Sequence, residues 1–269
     1  MIIFKSINNL NKKIKSCKNL GFVPTMGSLH DGHISLIQKS KKKSKKTLVS
    51  IFINPNQFNN KKDYKTYPRN ITNDLKILKR YKVDYVLIPK AEDVYSGKEN
   101  FDITIKKSDK ILCAKFRPGH FEGVLSVINQ FLKKINIKYI FLGEKDYQQL
   151  HLIKKYLGKK FKIRIIGCKT VRHNNKYVYS SRNKLLNSND LDVLSLISKI
   201  CIKFYYSIKK NTNNKIKLNY IRKKIEKIGA KIEYLELRNK TNLQKKFDKE
   251  NVKLFIAFYY KKIRFIDNI

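Results

Sequence analysis

Residues 20–33 read LGFVPTMGSLHDGH, and this stretch decides the fold class of the chain. Its first four residues form a short apolar run that is typical of a buried strand. A turn containing glycines follows directly, and a helical pattern then develops around Leu36 and Ile37. The stretch therefore predicts a buried strand that leads through a turn into a helix.

Further apolar runs predict the other strands of a sheet. They lie at residues 47–53, 85–88, 139–142 and 161–166. Between several of these runs the apolar residues recur at helical spacing, most clearly from Val124 to Ile135, in steps of three and four. Alternation of strands and helices favours a parallel sheet covered by helices, with ligands at the carboxyl ends of the strands. We therefore expect an α/β domain.

The pattern changes after about residue 174. One long helix is expected to begin near Ser188 or Asn189, and a second to cover residues 216–228. Strand-like runs follow at residues 231–237 and 254–260. We predict one domain of residues 1–174 and a smaller α+β domain of residues 175–269. The boundary is placed only to within about ten residues, because no linker rich in proline or glycine marks it.

The charge of the chain is strongly positive. There are 61 Lys and Arg residues against 20 Asp and Glu, which gives a formal net charge of +41 and raises nucleic acid or an anionic membrane as partners. The lysines are scattered, however, and accompany abundant Asn, Ile, Tyr and Phe, the residues that AT-rich codons encode. A nucleic-acid site usually concentrates basic residues among stacking aromatics. We expect compositional drift to explain much of the charge, with no specific nucleic-acid partner.

Cysteine spacing and apolar run length indicate the compartment. The four cysteines are far apart in sequence and show no metal-binding or redox spacing, which favours a reducing cytosol. The opening MIIFKSINNL is too short for the core of a signal peptide, and residues 254–260 are too few to span a bilayer. We expect a soluble cytoplasmic protein.

His30 and His33 are the first candidate site residues. Residues three apart share one face of a helix, and the positive end of a helix dipole suits a polyphosphate. Gly27 and Gly32 would let the main chain approach such a ligand closely. A surface or capping role is the alternative reading of the pair, and the strand–turn–helix context favours the phosphate site.

Five motifs in order resemble one known family. Residues 24–33 resemble the HIGH-type signature of nucleotidyltransferases and class I aminoacyl-tRNA synthetases, which activate a group with a nucleotide. The other motifs read SIFINPNQF from Ser50 with DYKTYPRN from Asp63, CAKFRPGHFEGV from Cys113, FLGEKDYQQL from Phe141 and YSSRN from Tyr179. Together they resemble the pantothenate synthetase (pantoate–β-alanine ligase) family over nearly the whole chain.

The resemblance implies both a fold and a reaction. The fold is a Rossmann-like parallel-sheet domain that binds nucleotide and pantoate, followed by a small C-terminal lid domain, usually in a homodimer. The reaction condenses (R)-pantoate with β-alanine through a pantoyl adenylate, using ATP with Mg²⁺ and releasing AMP and pyrophosphate. Such chemistry at phosphorus needs cations and donors that position the phosphates, rather than a covalent nucleophile.

The resemblance also implies the site residues. His30, His33 and Lys145 are expected to be catalytic, with His33 as the proton donor. The residues expected to bind ATP are Met26, Gly27, Ser28, Leu29, His30, Asp31, Gly32, His33, Gly143, Glu144, Lys145, Asp146, Val171, Tyr179, Ser180, Ser181 and Arg182. Gln57 and Gln149 are expected to bind pantoate, since amides suit hydroxyl groups. Arg117 and His120 are expected near the β-alanine carboxylate or the outer phosphates.

Several positions depart from the family pattern. Two adjacent acidic residues associated with the metal are represented here by Asn73 and Asp74, so Asp74 is the expected Mg²⁺ ligand. Before YSSRN, an acidic residue and a glycine are replaced by residues 173–175, and the usual Met by Tyr179. Three alternatives remain: another adenylyl-transferring enzyme of the same superfamily, a basic nucleic-acid-binding protein, or an inactive remnant.

Overall fold

The computed structural model describes residues 1–95, 103–174, 176–210 and 214–269. These residues form two compact units, Met1–Lys169 and Thr170–Ile269. The division falls at 169/170, whereas the sequence placed it at 174/175. Asn175, one of the positions that depart from the family pattern, lies outside the described residues.

The first unit alternates strands and helices along the chain. Its strands are β1 (Ile2–Phe4), β2 (Leu20–Thr25), β3 (Lys46–Ile51), β4 (Tyr85–Leu87), β5 (Tyr139–Gly143) and β6 (Arg164–Cys168). Its helices are α1 (Ile7–Ile14), α2 (Asp31–Lys43), α3 (Lys61–Thr66), α4 (Ile71–Arg80), α5 (Ala91–Val94), α6 (Cys113–Phe116), α7 (His120–Lys134) and α8 (Tyr147–Leu157). Short 3₁₀ turns lie at Pro55–Gln57, Lys107–Asp109 and Glu144–Asp146.

The described strands of this unit form one six-stranded sheet in the order β1-β4-β3-β2-β5-β6, and every neighbouring pair is parallel. The expected α/β fold with a Rossmann-like parallel sheet is confirmed. From the central strand β2, the chain builds one half of the sheet through β3 and β4 and the other half through β5 and β6. The reversal of direction lies between β2 and β5.

Two strands differ from the sequence prediction. Strand β1 was not predicted, because it is three residues long and its apolar residues Ile2 and Ile3 remain exposed at the edge of the sheet. Strand β6 begins at Arg164 and ends at Cys168, whereas the apolar run predicted residues 161–166. The limits of β6 follow from its pairing with β5, in which Tyr139 lies opposite Arg164. They do not follow the local apolar pattern.

An apolar cluster in the first unit holds the helices against the sheet. Leu29, in the turn after β2, packs in one buried cluster with Ile37 of α2, Leu78 of α4 and Phe141 of β5. Burial of each such side chain contributes about 1.5–3 kcal/mol to the hydrophobic stabilisation. The turn after β2 is therefore fixed by packing as well as by its own hydrogen bonds.

The second unit is the expected smaller α+β element. It contains α9 (Ser188–Lys210) and α10 (Asn214–Glu226), followed by β7 (Lys231–Asn239), β8 (Val252–Tyr260) and β9 (Ile263–Asn268). The three strands are antiparallel in chain order. Strand β9 was not predicted; it forms a tight hairpin with β8 in which Lys261 and Lys262 both adopt positive φ, as hairpin turns of this length favour.

Two further expectations concern the thiols and the membrane. All four cysteines are free thiols, and three of them are buried. Within the described part of the chain, none of the helices combines the length and the apolar character needed to cross a bilayer.

Candidate active site

The candidate site lies where the carboxyl ends of β2 and β5 meet. In an open parallel sheet, a ligand crevice forms outside the strand ends at the point where the strand order reverses. The segment after β2 carries His30 and His33, and the segment after β5 carries Lys145. The topology therefore brings both motifs to one edge of the sheet.

Pro24 coincides with the separation of the two strands at this edge. Pairing of β2 with β3 continues to Thr25 opposite Ile51, whereas pairing of β2 with β5 ends at Phe22 opposite Ile140. Proline has no N–H group to donate to a neighbouring strand. The proline therefore lies in the part of β2 that continues beyond its ladder with β5, directly before the histidine turn.

The turn after β2 places the two imidazole rings together. Gly27 and Ser28 both have positive φ, 77° and 51°, and reverse the chain before His30, the N-cap residue of α2. The ring centroids of His30 and His33 lie 4.1 Å apart with an interplanar angle of 37°. The predicted proximity of the histidines on the first turn of a helix is observed.

The hydrogen bond of His30 fixes its tautomer. Its Nδ1 atom accepts the main-chain N–H of Gly32 at 3.1 Å, so this nitrogen carries no proton. The neutral ring then carries its proton on Nε2. The Nε2–H group is consequently the part of this ring that can donate to an anionic ligand.

Several main-chain amides of the turn have acceptors within the protein. These are the N–H groups of Gly27, Ser28, Leu29, Gly32, His33 and Ile34. Phosphate binding by this segment stays a prediction, in which the imidazole rings are the side chains expected to meet the phosphates.

Asp74 does not fit the expected role of Mg²⁺ ligand. It is 1% exposed, and its two carboxylate oxygens accept the N–H groups of Ser28 and Leu29, each at 2.8 Å. Neighbouring Asn73 is exposed on α4. Among the described residues there is also no group of three His, Cys, Asp or Glu side chains able to hold a metal. The assignment of Mg²⁺ to Asp74 stays a prediction, and this geometry does not favour it.

Gln57 lies in the 3₁₀ turn after β3 and is almost completely buried. Its Nε2 atom donates to the sulfur of Met26 at 2.7 Å, which joins the turns that follow β2 and β3. The side chain of Asn54 donates to the main-chain oxygen of Gly123 at 3.0 Å and accepts the hydroxyl proton of Tyr95. Burial raises the pKa of Tyr95 to about 12, so this hydroxyl remains a donor.

Arg117 and His120 face Gln57. His120 Nδ1 donates to the main-chain oxygen of Gln57 at 2.6 Å, and Arg117 Nη2 donates to the same oxygen at 3.3 Å. Arg117 Nη1 lies 3.0 Å from His120 Nε2, which accepts in this tautomer. Both ring nitrogens of His120 are therefore engaged by protein groups. In this arrangement His120 supports Gln57, and its contact with a substrate carboxylate or phosphate stays a prediction.

The close approach of α7 to this turn was not anticipated from sequence. A Cβ atom on Gly123 would lie 2.3 Å from the main-chain oxygen of Asn56. Only a glycine permits this approach, and Asn54 accordingly bonds to the main chain of α7 at the same place. The glycine in the motif from Cys113 was the available signal, but its partner is distant in sequence.

The segment after β5 presents Lys145 at the end of the strand. Lys145 Nζ lies 3.4 Å from Asp146 Oδ1, and its side chain is 21% exposed. Gln149 lies partly buried in the first turn of α8. Its neighbour Gln148 is buried and binds main-chain groups of Asp109, Ile111 and Ala114 instead.

A buried carboxylate, also not anticipated, anchors the loop before α6. Asp109 accepts hydrogen bonds from Lys155 Nζ at 2.7 and 2.9 Å and from the Tyr156 hydroxyl at 2.6 Å. Burial alone would raise the pKa of Asp109, but the bonds from Lys155 and Tyr156 outweigh it, and the net pKa is lowered from 3.8. The cluster fixes this loop to α8.

The remaining expected ATP-binding residues belong to the second unit. Val171 accepts the N–H of Tyr179 at 3.3 Å, and Ser180 caps the 3₁₀ turn Ser181–Leu185 by accepting the N–H of Arg182. His173 stacks on Tyr177 with ring centroids 4.9 Å apart. His173 also meets Tyr179, which occupies the position of the family's usual Met, with ring centroids 5.8 Å apart.

A concave region among the described residues lies at the opposite edge of the sheet. It has a volume of about 420 Å³ and is lined by exposed lysines and the amino ends of β1, β3 and β4: Met1, Ile2, Lys13, Lys46, Lys79, Lys82, Val83, Asp84 and Tyr85. Solvated lysines are common throughout this chain. We place the site at the carboxyl edge, because the histidine, lysine and glutamine motifs all lie there.

Comparison with known proteins identifies the family of the chain. The family profile described as pantoate–β-alanine ligase matches residues 2–269. A pantothenate synthetase of Francisella tularensis subsp. novicida is 39% identical over 267 residues, covering 98% of this chain and 94% of the relative. The pantothenate synthetase of Francisella philomiragia is 38% identical and covers 100% of this chain and 97% of the relative.

Solved structures agree with these sequence matches. The pantoate–β-alanine ligase from Francisella tularensis, described as complexed with β-γ ATP and β-alanine, superimposes with a TM-score of 0.85 at 38% identity, covering 100% of this chain and 97% of that one. The pantothenate synthetase of Thermus thermophilus has a TM-score of 0.90 at 24% identity, covering 100% and 99%, and supports the fold.

The fold and the residues at its switch point are typical of nucleotide-using α/β enzymes. Sequence similarity narrows this class through the ordered motifs, the profile match and the curated relatives. The chain belongs to the pantoate–β-alanine ligase family.

Proposed function

We propose that this chain is an active ligase that condenses (R)-pantoate with β-alanine at the expense of ATP. The observation that carries the proposal is the pair of imidazoles 4.1 Å apart at the end of β2, beside the strand whose end carries Lys145. The family membership of the whole chain and the ATP and β-alanine complex of the Francisella tularensis relative support the same reaction.

The first step forms pantoyl adenylate. A carboxylate oxygen of pantoate attacks the α-phosphorus of ATP, and the bond from that phosphorus to the bridging oxygen breaks, releasing pyrophosphate. In the second step the amine of β-alanine attacks the acyl carbon, loses a proton and displaces AMP. Negative charge accumulates on the departing groups in both steps, so preorganised donors accelerate them.

The residues of the first unit supply those donors. His30 Nε2–H and His33 stabilise charge on the pyrophosphate, with His33 as the proton donor, and Lys145 neutralises phosphate oxygens. Gly143, Glu144 and Asp146 bind the nucleotide, and a carboxylate such as Asp146 suits ribose hydroxyls. Gln57 and Gln149 bind pantoate through amides that both donate and accept.

Other contributions rest on the family resemblance alone. These are ATP binding by Val171, Tyr179, Ser180, Ser181 and Arg182, the lid role of the second unit, the homodimer and a cytoplasmic location. Mg²⁺ accompanies ATP in the same expectation.

A direct assay tests the proposal. Purified protein is mixed with ATP, Mg²⁺, pantoate and β-alanine, and the formation of AMP is followed. We expect pyrophosphate release to require pantoate but not β-alanine, and AMP release to require both. Pyrophosphate released without pantoate would indicate a different adenylyl-transferring enzyme, and ATP binding without turnover would indicate an inactive remnant.

A further inference from the structure

Asp74 and the turn after β2 form one buried unit. The carboxylate lies in the first turn of α4 and accepts two consecutive main-chain N–H groups, those of Ser28 and Leu29, at 2.8 Å each. Consecutive amides that converge on one point form the kind of concavity that binds anions. In this chain the anion is a side chain of the protein itself.

The main-chain conformation of the turn depends on this anion. Gly27 and Ser28 have positive φ, which is uncommon for a serine and unfavourable unless the surroundings enforce it. The two N–H groups that face Asp74 are buried, so they require an acceptor. A Cβ atom on Gly27 would lie 2.9 Å from Asp74 Oδ2, so the glycine also makes room for the carboxylate.

The turn leads directly to the histidines. Leu29 precedes His30, and His30 is the N-cap of α2 that receives bonds from Gly32, His33 and Ile34. Leu29 and Leu78 of α4 pack in the same apolar cluster, which holds α4 against the turn. The positions of both imidazole rings are therefore set by the point at which Asp74 binds the main chain.

We propose that Asp74 is a positioning residue that sets the geometry of His30 and His33, and that it is not a Mg²⁺ ligand. The exposed neighbour Asn73, where the family pattern has a second acidic residue, contributes nothing to this contact. The proposal rests on the proposed function only for its kinetic readout, because the arrangement of the rings can be observed directly.

The test compares Asp74→Asn with Asn73→Asp. In Asp74→Asn one acceptor is kept and an NH₂ group is set against the other N–H, whereas Asn73→Asp adds an exposed carboxylate beside an intact Asp74. The chain has five histidines, so ring ¹H–¹⁵N correlation spectra can resolve them. We expect Asp74→Asn to shift the signals of His30 and His33 while those of His120, His151 and His173 stay unchanged.

The kinetic readout separates positioning from metal binding. We expect kcat of Asp74→Asn to fall roughly 10- to 100-fold, as for a small misplacement of catalytic groups. The Mg²⁺ concentration for half-maximal rate should change by less than about twofold. Loss of a residue that holds or supports a metal would lower the metal affinity about tenfold or more. Asn73→Asp should match the wild type in kcat and in the Mg²⁺ concentration for half-maximal rate. A tenfold rise in the required Mg²⁺ with unchanged histidine signals would overturn the proposal.

A second variant covers the case in which Asp74→Asn does not fold. Gly27→Ala places a methyl group against the carboxylate, at a position with φ of 77°, and leaves the charge of Asp74 in place. It should shift the same two histidine signals without altering the Mg²⁺ requirement, and unshifted signals would contradict the proposal. If the wild-type protein forms no AMP, the proposed function fails, whereas the spectra still test the positioning.

Discussion

The Nδ1 atom of His120 lies 2.6 Å from the main-chain oxygen of Gln57, although the two residues are 63 positions apart in sequence. This bond, with those of Arg117, fixes the turn that carries Gln57. His120, which its motif predicts to contact a substrate, therefore contacts Gln57, a residue proposed to bind pantoate.

His120→Phe tests this relationship. The variant keeps an aromatic ring beside Phe121 but removes the hydrogen bond to Gln57. A lost hydrogen bond of about 1.4 kcal/mol corresponds to a tenfold effect, so we expect KM for pantoate to rise about tenfold. KM for ATP should change much less. Steady-state kinetics with each substrate varied measures both. His151→Phe, on α8, is the control, and an equal rise of both KM values would count against a specific role.

Gly123→Ala tests the close approach of α7 to the Gln57 turn. The new methyl group would lie 2.3 Å from the oxygen of Asn56, and main-chain atoms on both sides resist a shift. We expect the free energy of unfolding to fall by about 1–3 kcal/mol, the usual effect of overpacking. Urea denaturation measures it. Gly143→Ala, where a Cβ atom meets no atom within 4 Å, should leave this free energy unchanged.

Lys145→Ala and His33→Ala test the proposed charge stabilisation. Each side chain is partly exposed at the sheet edge, so its removal should change the free energy of unfolding by less than about 0.5 kcal/mol. Loss of a donor to developing charge should reduce kcat by about 10²–10³. Lys154→Ala removes an exposed lysine of α8 as the control. A large loss of stability with little loss of rate would instead indicate a packing role.

Asp109→Asn tests the pH dependence of stability. The lowered pKa means that the folded protein holds this proton less tightly than the unfolded chain does. The stabilisation is therefore present above the ordinary value of 3.8 and is lost as the pH falls through the lower pKa of the folded state. At pH 7 we expect the variant to be less stable by about 1–3 kcal/mol.

Denaturant unfolding at pH 7 and near pH 3 measures this difference. The difference in the free energy of unfolding between wild type and Asp109→Asn should narrow at the lower pH, because the unfolded wild-type chain binds the carboxylate proton more readily than the folded protein does. Glu92→Gln, which neutralises an exposed carboxylate of α5, should follow the wild-type profile. If the difference in the free energy of unfolding stays constant with pH, the charge of Asp109 is not the source of the stabilisation.

Local sequence predicted most strands because buried parallel strands are nearly continuous apolar runs. It predicted β2, β3, β4 and β5 in this way. In the first unit it missed β1 and misplaced β6, because an exposed edge strand lacks such a run and a register is set by the neighbouring strand.

The sequence by itself determined the α/β class, the smaller second unit and the motifs around His30, Gln57 and Lys145, since each depends on residues adjacent in the chain. Only the tertiary structure decided what Asp74, His120 and Gly123 contact. Their partners lie 45 to 67 positions away, and hydrogen-bond direction and close main-chain approach exist only after the chain has folded.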